Sequence, residues 1–263
     1  VDECYMCDLC YQTKCPYVPP HPWAIDFPKL MLRGKAIAYK NKKKGILKRI
    51  RDEVLTSTDT LSKSLKLPLL DITYKKYSKS TFLRKATTSL TGIHKDAPLP
   101  RFENKALKYN PNISIKINPA GTTSGKVALF VGCYCRNNNL SIAEDLIKVL
   151  EHNSILVKLV TGEKCCGMPK LDLGDLDSVE LLMKHNLPLL LNEVKEGYDI
   201  ISLVPSCVLM FKQELPLLFD ENADLLTVKK HIYDPFEYLS QRETEGMLNK
   251  FFDHSSCWSR NKG

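Results

Sequence analysis

The stretch Val127-Ala128-Leu129-Phe130-Val131-Gly132-Cys133-Tyr134-Cys135-Arg136 decides how the chain is read. Val127–Val131 is a short apolar run of the kind that forms a strand buried on both faces, and it ends at a glycine followed by two thiols. The same order recurs. Ile155–Val160 is a second apolar run, followed after a short loop by Cys165-Cys166-Gly167, and Asp199–Val204 is a third, followed by Cys207. Helical segments separate them. Ser141-Ile142-Ala143-Glu144 has the form of a capping box, opening a helix whose apolar face is Leu146, Ile147 and Leu150. Asp175 is placed to cap another helix with Asp177 and Glu180 in its first turn, and Pro188 predicts a separate helix that ends before Gly197.

Strands alternating with helices predict a parallel sheet with crossover helices. In such a sheet all strand C-termini lie along one edge, and ligand sites form in the crevice outside it. Cys133, Cys135, Cys165, Cys166 and Cys207 are therefore expected at one place, although they are far apart in sequence. A fourth strand ending near Phe252 would bring Cys257 to the same edge.

Upstream the pattern changes. Residues 1–23 read as loop, with breakers at Pro16, Pro19, Pro20 and Pro22. Residues 26–55 read as helical with a solvated basic stretch (Lys40, Lys42, Lys43, Lys44, Lys48, Arg49 and Arg51). Residues 56–118 predict one or two helices and a long connection. Asn118-Pro119-Ala120-Gly121 and Ser124-Gly125 mark a linker, so the expected organisation is a helical part over 1–120 and an α/β part over 121–263. The fold class is α+β.

Composition bounds the function. Of 263 residues, 43% are hydrophobic and 26% charged, which excludes wholesale disorder. Ten cysteines are too few for a small disulfide scaffold and are clustered: four lie within Cys4–Cys15, and none follows until Cys133. Residues 1–120 hold 23 Lys/Arg against 10 Asp/Glu, and residues 121–263 hold 15 against 20, which together give the net charge of +8. No apolar run approaches the length of a membrane-spanning helix, and no leader opens the chain. A cytoplasmic protein is expected, where clustered cysteines hold metal more often than they form disulfides. The basic excess is a solvated face, or a surface that docks an acidic partner or an anionic membrane. No motif accompanies it that would point to nucleic acid, and no nucleotide loop, serine triad or carboxylate pair is visible. The start at Val1, three residues before the first cysteine, suggests a fragment or a processed product.

The first cysteine set is Cys4-x2-Cys7-x2-Cys10-x4-Cys15-Pro16. Thiols at intervals of three let one loop wrap a cubic cluster, and the ferredoxin run C-x2-C-x2-C-x3-C-P differs by a single residue in its last spacing. Zinc is the rival, although structural zinc sites normally pair two separated C-x2-4-C knuckles. The second set is Cys133/Cys135, Cys165-Cys166-Gly167 and Cys207. Both vicinal thiols can face one polynuclear centre if the loop is tight, while a redox-active thiol site or buried structural cysteines are the alternatives. His21, beside the first set, and His254, before Cys257, are candidate hydrogen-bonding neighbours of the clusters, and Met210 reads as core.

These residues carry a resemblance. Cys7–Tyr17, then Pro19-Pro20-His21-Pro22-Trp23 and Asp26–Arg33, with Gly132-Cys133, Glu163–Pro169 and Pro205–Lys212, resemble the iron–sulfur oxidoreductases related to heterodisulfide reductase. That group includes the cluster-bearing C subunits of anaerobic glycerol-3-phosphate dehydrogenases and shares the cysteine-rich "CCG" domain. The resemblance implies a ferredoxin-like part with a [4Fe–4S] cluster on Cys4, Cys7 and Cys10, completed by Cys15 or by a residue upstream. It implies a second centre, of the noncubane type in heterodisulfide reductase itself, on Cys133, Cys165, Cys166 and Cys207. Cys135 is its alternate ligand, and Cys257 stands at the opening of a second repeat. Electron transfer between a flavoprotein dehydrogenase and quinone or a disulfide-type acceptor would follow, with peripheral association at the inner face of the cytoplasmic membrane. The family's upstream cysteine run and complete second repeat are not in these 263 residues, and Trp258 stands where members usually have His. A zinc-stabilised interaction module and an inactive fragment of a longer oxidoreductase are the rival expectations.

Overall fold

The computed structural model describes residues 4–6, 9–10, 15–41, 45–65, 67–102, 107 and 125–244. The chain divides into two compact units, one of Val1–Asn104 with Lys164–Asn186, the other of Lys105–Glu163 with Leu187–Gly263.

The first unit contains α1 (Phe27–Lys40), α2 (Ile46–Thr56), α3 (Thr58–Ser64), α4 (Pro68–Lys79) and α5 (Thr81–Thr91). The Asp26 carboxylate opens α1 by accepting from the Lys29 N–H at 3.0 Å, and the Ser80 hydroxyl does the same for α5 through the Leu83 N–H. Residues 26–55 are thus parts of two helices, and residues 58–91 form three where one or two were expected.

The second unit is built on a parallel sheet of β1 (Lys126–Phe130), β2 (Leu156–Leu159), β3 (Asp199–Ser202) and β4 (Ile232–Tyr233), in the order β2-β1-β3-β4. Val127 pairs with Val157 on one side and with Asp199 on the other, while Ile200 pairs with Ile232. Because β1 is covered on both faces, Val127, Ala128, Leu129 and Phe130 are all fully buried. Two helices, α6 (Gly132–Asn138) and α7 (Ser141–His152), join β1 to β2. Ala143, Leu146, Ile147 and Leu150 of α7 make the core with Val127, Leu129 and Val157 of the sheet. From β2 the chain enters α8 (Met168–Leu173), which belongs to the first unit, and then α9 (Leu176–Lys195), which leads to β3. Further α-helices of the described residues are α10 (Pro205–Leu209), α11 (Leu215–Leu218), α12 (Ala223–His231) and α13 (Pro235–Thr244). Among the described residues no helix is long and apolar enough to cross a membrane.

Two local expectations are corrected. The capping box does not form: Leu140 occupies the N-cap position, and the Ser141 hydroxyl instead donates to the Asn139 side chain at 2.8 Å. Burying Leu140 is worth about 1.5–3 kcal/mol against about 1 kcal/mol for a cap, so packing decides where the helix begins. Pro188 does not start a helix but sits inside α9, which Asp175 opens by accepting from the Ser178 N–H. An interior proline costs about 3 kcal/mol, which burial of Leu187, Leu190 and Leu191 beside it offsets. The fourth strand of the described sheet is Ile232–Tyr233, and the strand expected near Phe252 lies outside the described residues.

Candidate metal centre

Strand order fixes where a ligand can bind. From β1 the chain goes to β2 on one side and then crosses to β3 on the other, so the order reverses between β1 and β3. The crevice outside the carboxyl ends of these two strands is the switch point of the sheet. Cys133 and Cys135 follow β1 on α6, and Cys207 follows β3 on α10. A side chain at Gly132 would place its Cβ 3.5 Å from the Cys207 sulfur, so the start of α6 and the Cys207 thiol adjoin. All three thiols are buried.

The turn that carries Cys133 is fastened by an acid whose partner the sequence does not reveal. Glu163, buried after β2, accepts from the Gly132 N–H at 2.9 Å. Arg136 donates to the Glu163 carbonyl at 3.0 Å and lies 3.7 Å from its carboxylate. The signal available is an acid inside the Glu163–Pro169 motif, but its partner cannot be read without the fold. Burial, then the neighbouring Cys133 and Glu163, pushes the Cys135 thiol up to about 11. It is therefore held protonated at neutral pH, and a metal binding there must displace that proton.

After Cys207, helix α10 runs into one wide turn, Met210–Glu214, in which the Leu215 N–H reaches back to the Met210 carbonyl. Pro216, the second residue of α11, has no N–H to give to the ladder, and the wide turn accommodates its ring. Met210 and Phe211 are fully buried, and the Phe130 and Phe211 rings meet edge-to-face at 5.6 Å. Met210 is core, as expected.

Cys165 and Cys166 belong to the first unit, at the head of its 164–186 segment, and both are buried. Side chains of that unit hold this loop. The Cys165 N–H donates to the Asp59 carboxylate at 3.1 Å. Asn186, 1% exposed, accepts from the Lys164 N–H and donates to the carbonyls of Lys164 and Cys165. Farther along, Lys170 pairs with Glu53 and lies 3.6 Å from Asp175, while Lys35 donates to Asp172 at 2.6 Å. Nothing in the sequence marks Asp59, Asn186, Lys35 or Lys170, because each acts through a partner distant along the chain.

In the first cysteine set, Cys4 and Cys15 are half-buried and Cys10 is exposed, and the Cys15 N–H donates to the Cys10 carbonyl at 2.9 Å. Cys7 lies outside the described residues, as do Cys257 and His254. The His21 ring accepts from the Trp23 N–H at 3.1 Å and sits edge-on to Tyr17 and Trp23, a packing role in this loop.

Among the described residues no group of three or more His, Cys, Asp or Glu side chains is arranged to hold a metal ion. The donor chemistry nonetheless fits an iron–sulfur group. The buried donors at Cys133, Cys135, Cys165, Cys166 and Cys207 are all thiols, the ligand type that soft metals and such clusters take.

Residues 127–212 match the family described as the CCG cysteine-rich domain. The chain is similar to the C subunit of the anaerobic glycerol-3-phosphate dehydrogenase of Escherichia coli K12, 30% identical over 122 residues, covering 46% of this chain and 30% of that protein. It is similar to the B subunit of the fumarate reductase (CoM/CoB) of Methanothermobacter marburgensis, 29% identical over 128 residues, covering 48% of this chain and 24% of that one. An uncharacterized iron–sulfur protein of Methanocaldococcus jannaschii is 30% identical over 89 residues, covering 34% of this chain and 17% of that protein. The matches thus span less than a third of the length of these relatives. No solved structure matches.

Proposed function

We propose that the chain is an iron–sulfur electron-transfer protein of the CCG type, working as a subunit or segment of a larger oxidoreductase. The observation that carries this reading is the burial of Cys133, Cys135 and Cys207 just beyond the carboxyl ends of β1 and β3, where the strand order reverses. The relatives' names support it, since they are subunits of a dehydrogenase and a reductase and an iron–sulfur protein.

Cys133, Cys165, Cys166 and Cys207 would hold one centre, with Cys135 as the alternate ligand. Cys4, Cys7 and Cys10, with Cys15, would hold a [4Fe–4S] cluster. A bound cluster supplies one-electron transfer, at a potential set by its charge, its hydrogen bonds and its burial. The chain's own residues do the rest. Glu163 and Arg136 fix the turn bearing Cys133, burial keeps water from the thiols, and the more exposed set near Cys10 gives electrons a way in or out. The donor we favour is a flavoprotein dehydrogenase, and the acceptor is quinone or a disulfide, reached by peripheral association with a membrane. Anaerobic reconstitution followed by iron, acid-labile sulfide and zinc analysis tests the reading. Iron and sulfide in similar amounts support it, and stoichiometric zinc without sulfide overturns it.

A further inference from the structure

The N-terminal helices have no evident task in the sequence, yet within the first unit they meet the Cys165-Cys166-Gly167 loop at one point and helix α8 after it at two. Lys35 of α1 reaches Asp172, Glu53 of α2 reaches Lys170, and Asp59 of α3 takes the Cys165 N–H. The last contact touches the backbone of a thiol ligand directly, across 106 residues of sequence.

We infer that Asp59 is a positioning residue that lowers the reduction potential of the centre Cys165 helps to hold. The inference rests on the iron–sulfur reading above. Two effects act in the same direction. A carboxylate on the Cys165 N–H sets a negative charge beside the ligand, which favours the oxidised cluster. It also engages an N–H that would otherwise be available to a cluster sulfur, and hydrogen bonds to sulfur favour the reduced form. The contact fixes the Cys165 backbone as well, because a charge-assisted bond of this kind is about twice as strong as a neutral one.

The test uses the full chain, reconstituted anaerobically, with redox titration followed by electron paramagnetic resonance. Asp59→Asn keeps an acceptor for the N–H but removes the charge. It is expected to keep its iron and sulfide and to raise the reduced-to-oxidised ratio at a fixed ambient potential about tenfold, equivalent to about 59 mV for one electron. Asp59→Glu restores the charge and should return the ratio toward that of the parent. An Asp59→Asn protein with the parent's potential overturns the inference. Amide exchange at Cys165 in the metal-free chain gives an independent measure, expected to be at least tenfold slower in the parent than in Asp59→Ala; equal rates overturn the contact itself. A chain that takes up no sulfide overturns the function proposed above and with it the effect on potential, while the exchange measurement decides separately whether Asp59 holds the Cys165 backbone.

Discussion

Replacing Gly174 by alanine should loosen α8, the helix after the Cys165-Cys166-Gly167 loop, from α1. Gly174 ends α8 at φ +87°, and a Cβ added there would lie 2.6 Å from the Lys35 carbonyl carbon, 2.7 Å from its oxygen and 2.8 Å from the Ala36 nitrogen. These are backbone atoms of α1, so no rotamer change relieves the overlap. The left-handed backbone costs a non-glycine residue about 1–2 kcal/mol, and separating two packed backbones costs about 1–3 kcal/mol as overpacking does. Together the loss is about 2–5 kcal/mol. Urea unfolding of the metal-free chain, followed by circular dichroism, reads this as a midpoint lowered by about 0.7–1.7 M for a slope of about 3 kcal/mol/M. Gly197 is the control. Its φ is +82° but nothing lies within 4 Å of the added atom, so Gly197→Ala should cost only the backbone term of about 1–2 kcal/mol. Alkylation of Cys165 and Cys166 should also quicken in Gly174→Ala alone. Equal costs for the two substitutions would refute the close packing of Gly174 on α1.

Asn186→Leu removes a buried side chain that bonds three backbone groups of the Lys164–Cys165 loop, and should cost about 2–4 kcal/mol in the same unfolding assay, with faster amide exchange at Lys164. High pH should destabilise the metal-free chain. Burial pushes the Cys135 thiol up to about 11 from 9.0 and the Tyr238 hydroxyl up to about 12 from 10.0, so the native state binds more protons than the unfolded chain above pH 9. Stability is therefore full below about pH 9 and is lost as pH rises through 11–12, with a loss of about 3 kcal/mol by about pH 10.5. Urea midpoints on either side of this range measure it, and an unchanged midpoint would count against the burial of both groups.

Strands were legible because a strand covered on both faces has to be apolar along its length, and Val127–Val131 could be little else. The thiols after β1 and β3 followed from the same rule, since a parallel sheet aligns its strand ends. Ser141 misled because a capping box is a local signal of about 1 kcal/mol, and the burial of Leu140 outweighed it. Pro188 misled for the same reason in the opposite sense, with buried leucines on either side keeping the helix intact. The supports of the Cys165-Cys166-Gly167 loop and of α8 after it were illegible. Asp59 and Cys165 are 106 residues apart and Glu53 and Lys170 are 117 apart, and a lysine in a basic chain carries no mark that it is buried.

Low-temperature electron paramagnetic resonance of the reconstituted, reduced chain tests most directly whether thiols at the β1–β3 crevice hold an iron–sulfur centre. The comparison is between the parent and the Cys133→Ser/Cys207→Ser double variant. The double variant is expected to lose one signal, with the matching iron and sulfide, and to keep the signal carried by the Cys4–Cys15 set. Identical spectra and identical iron content in the two proteins would contradict a centre at that crevice.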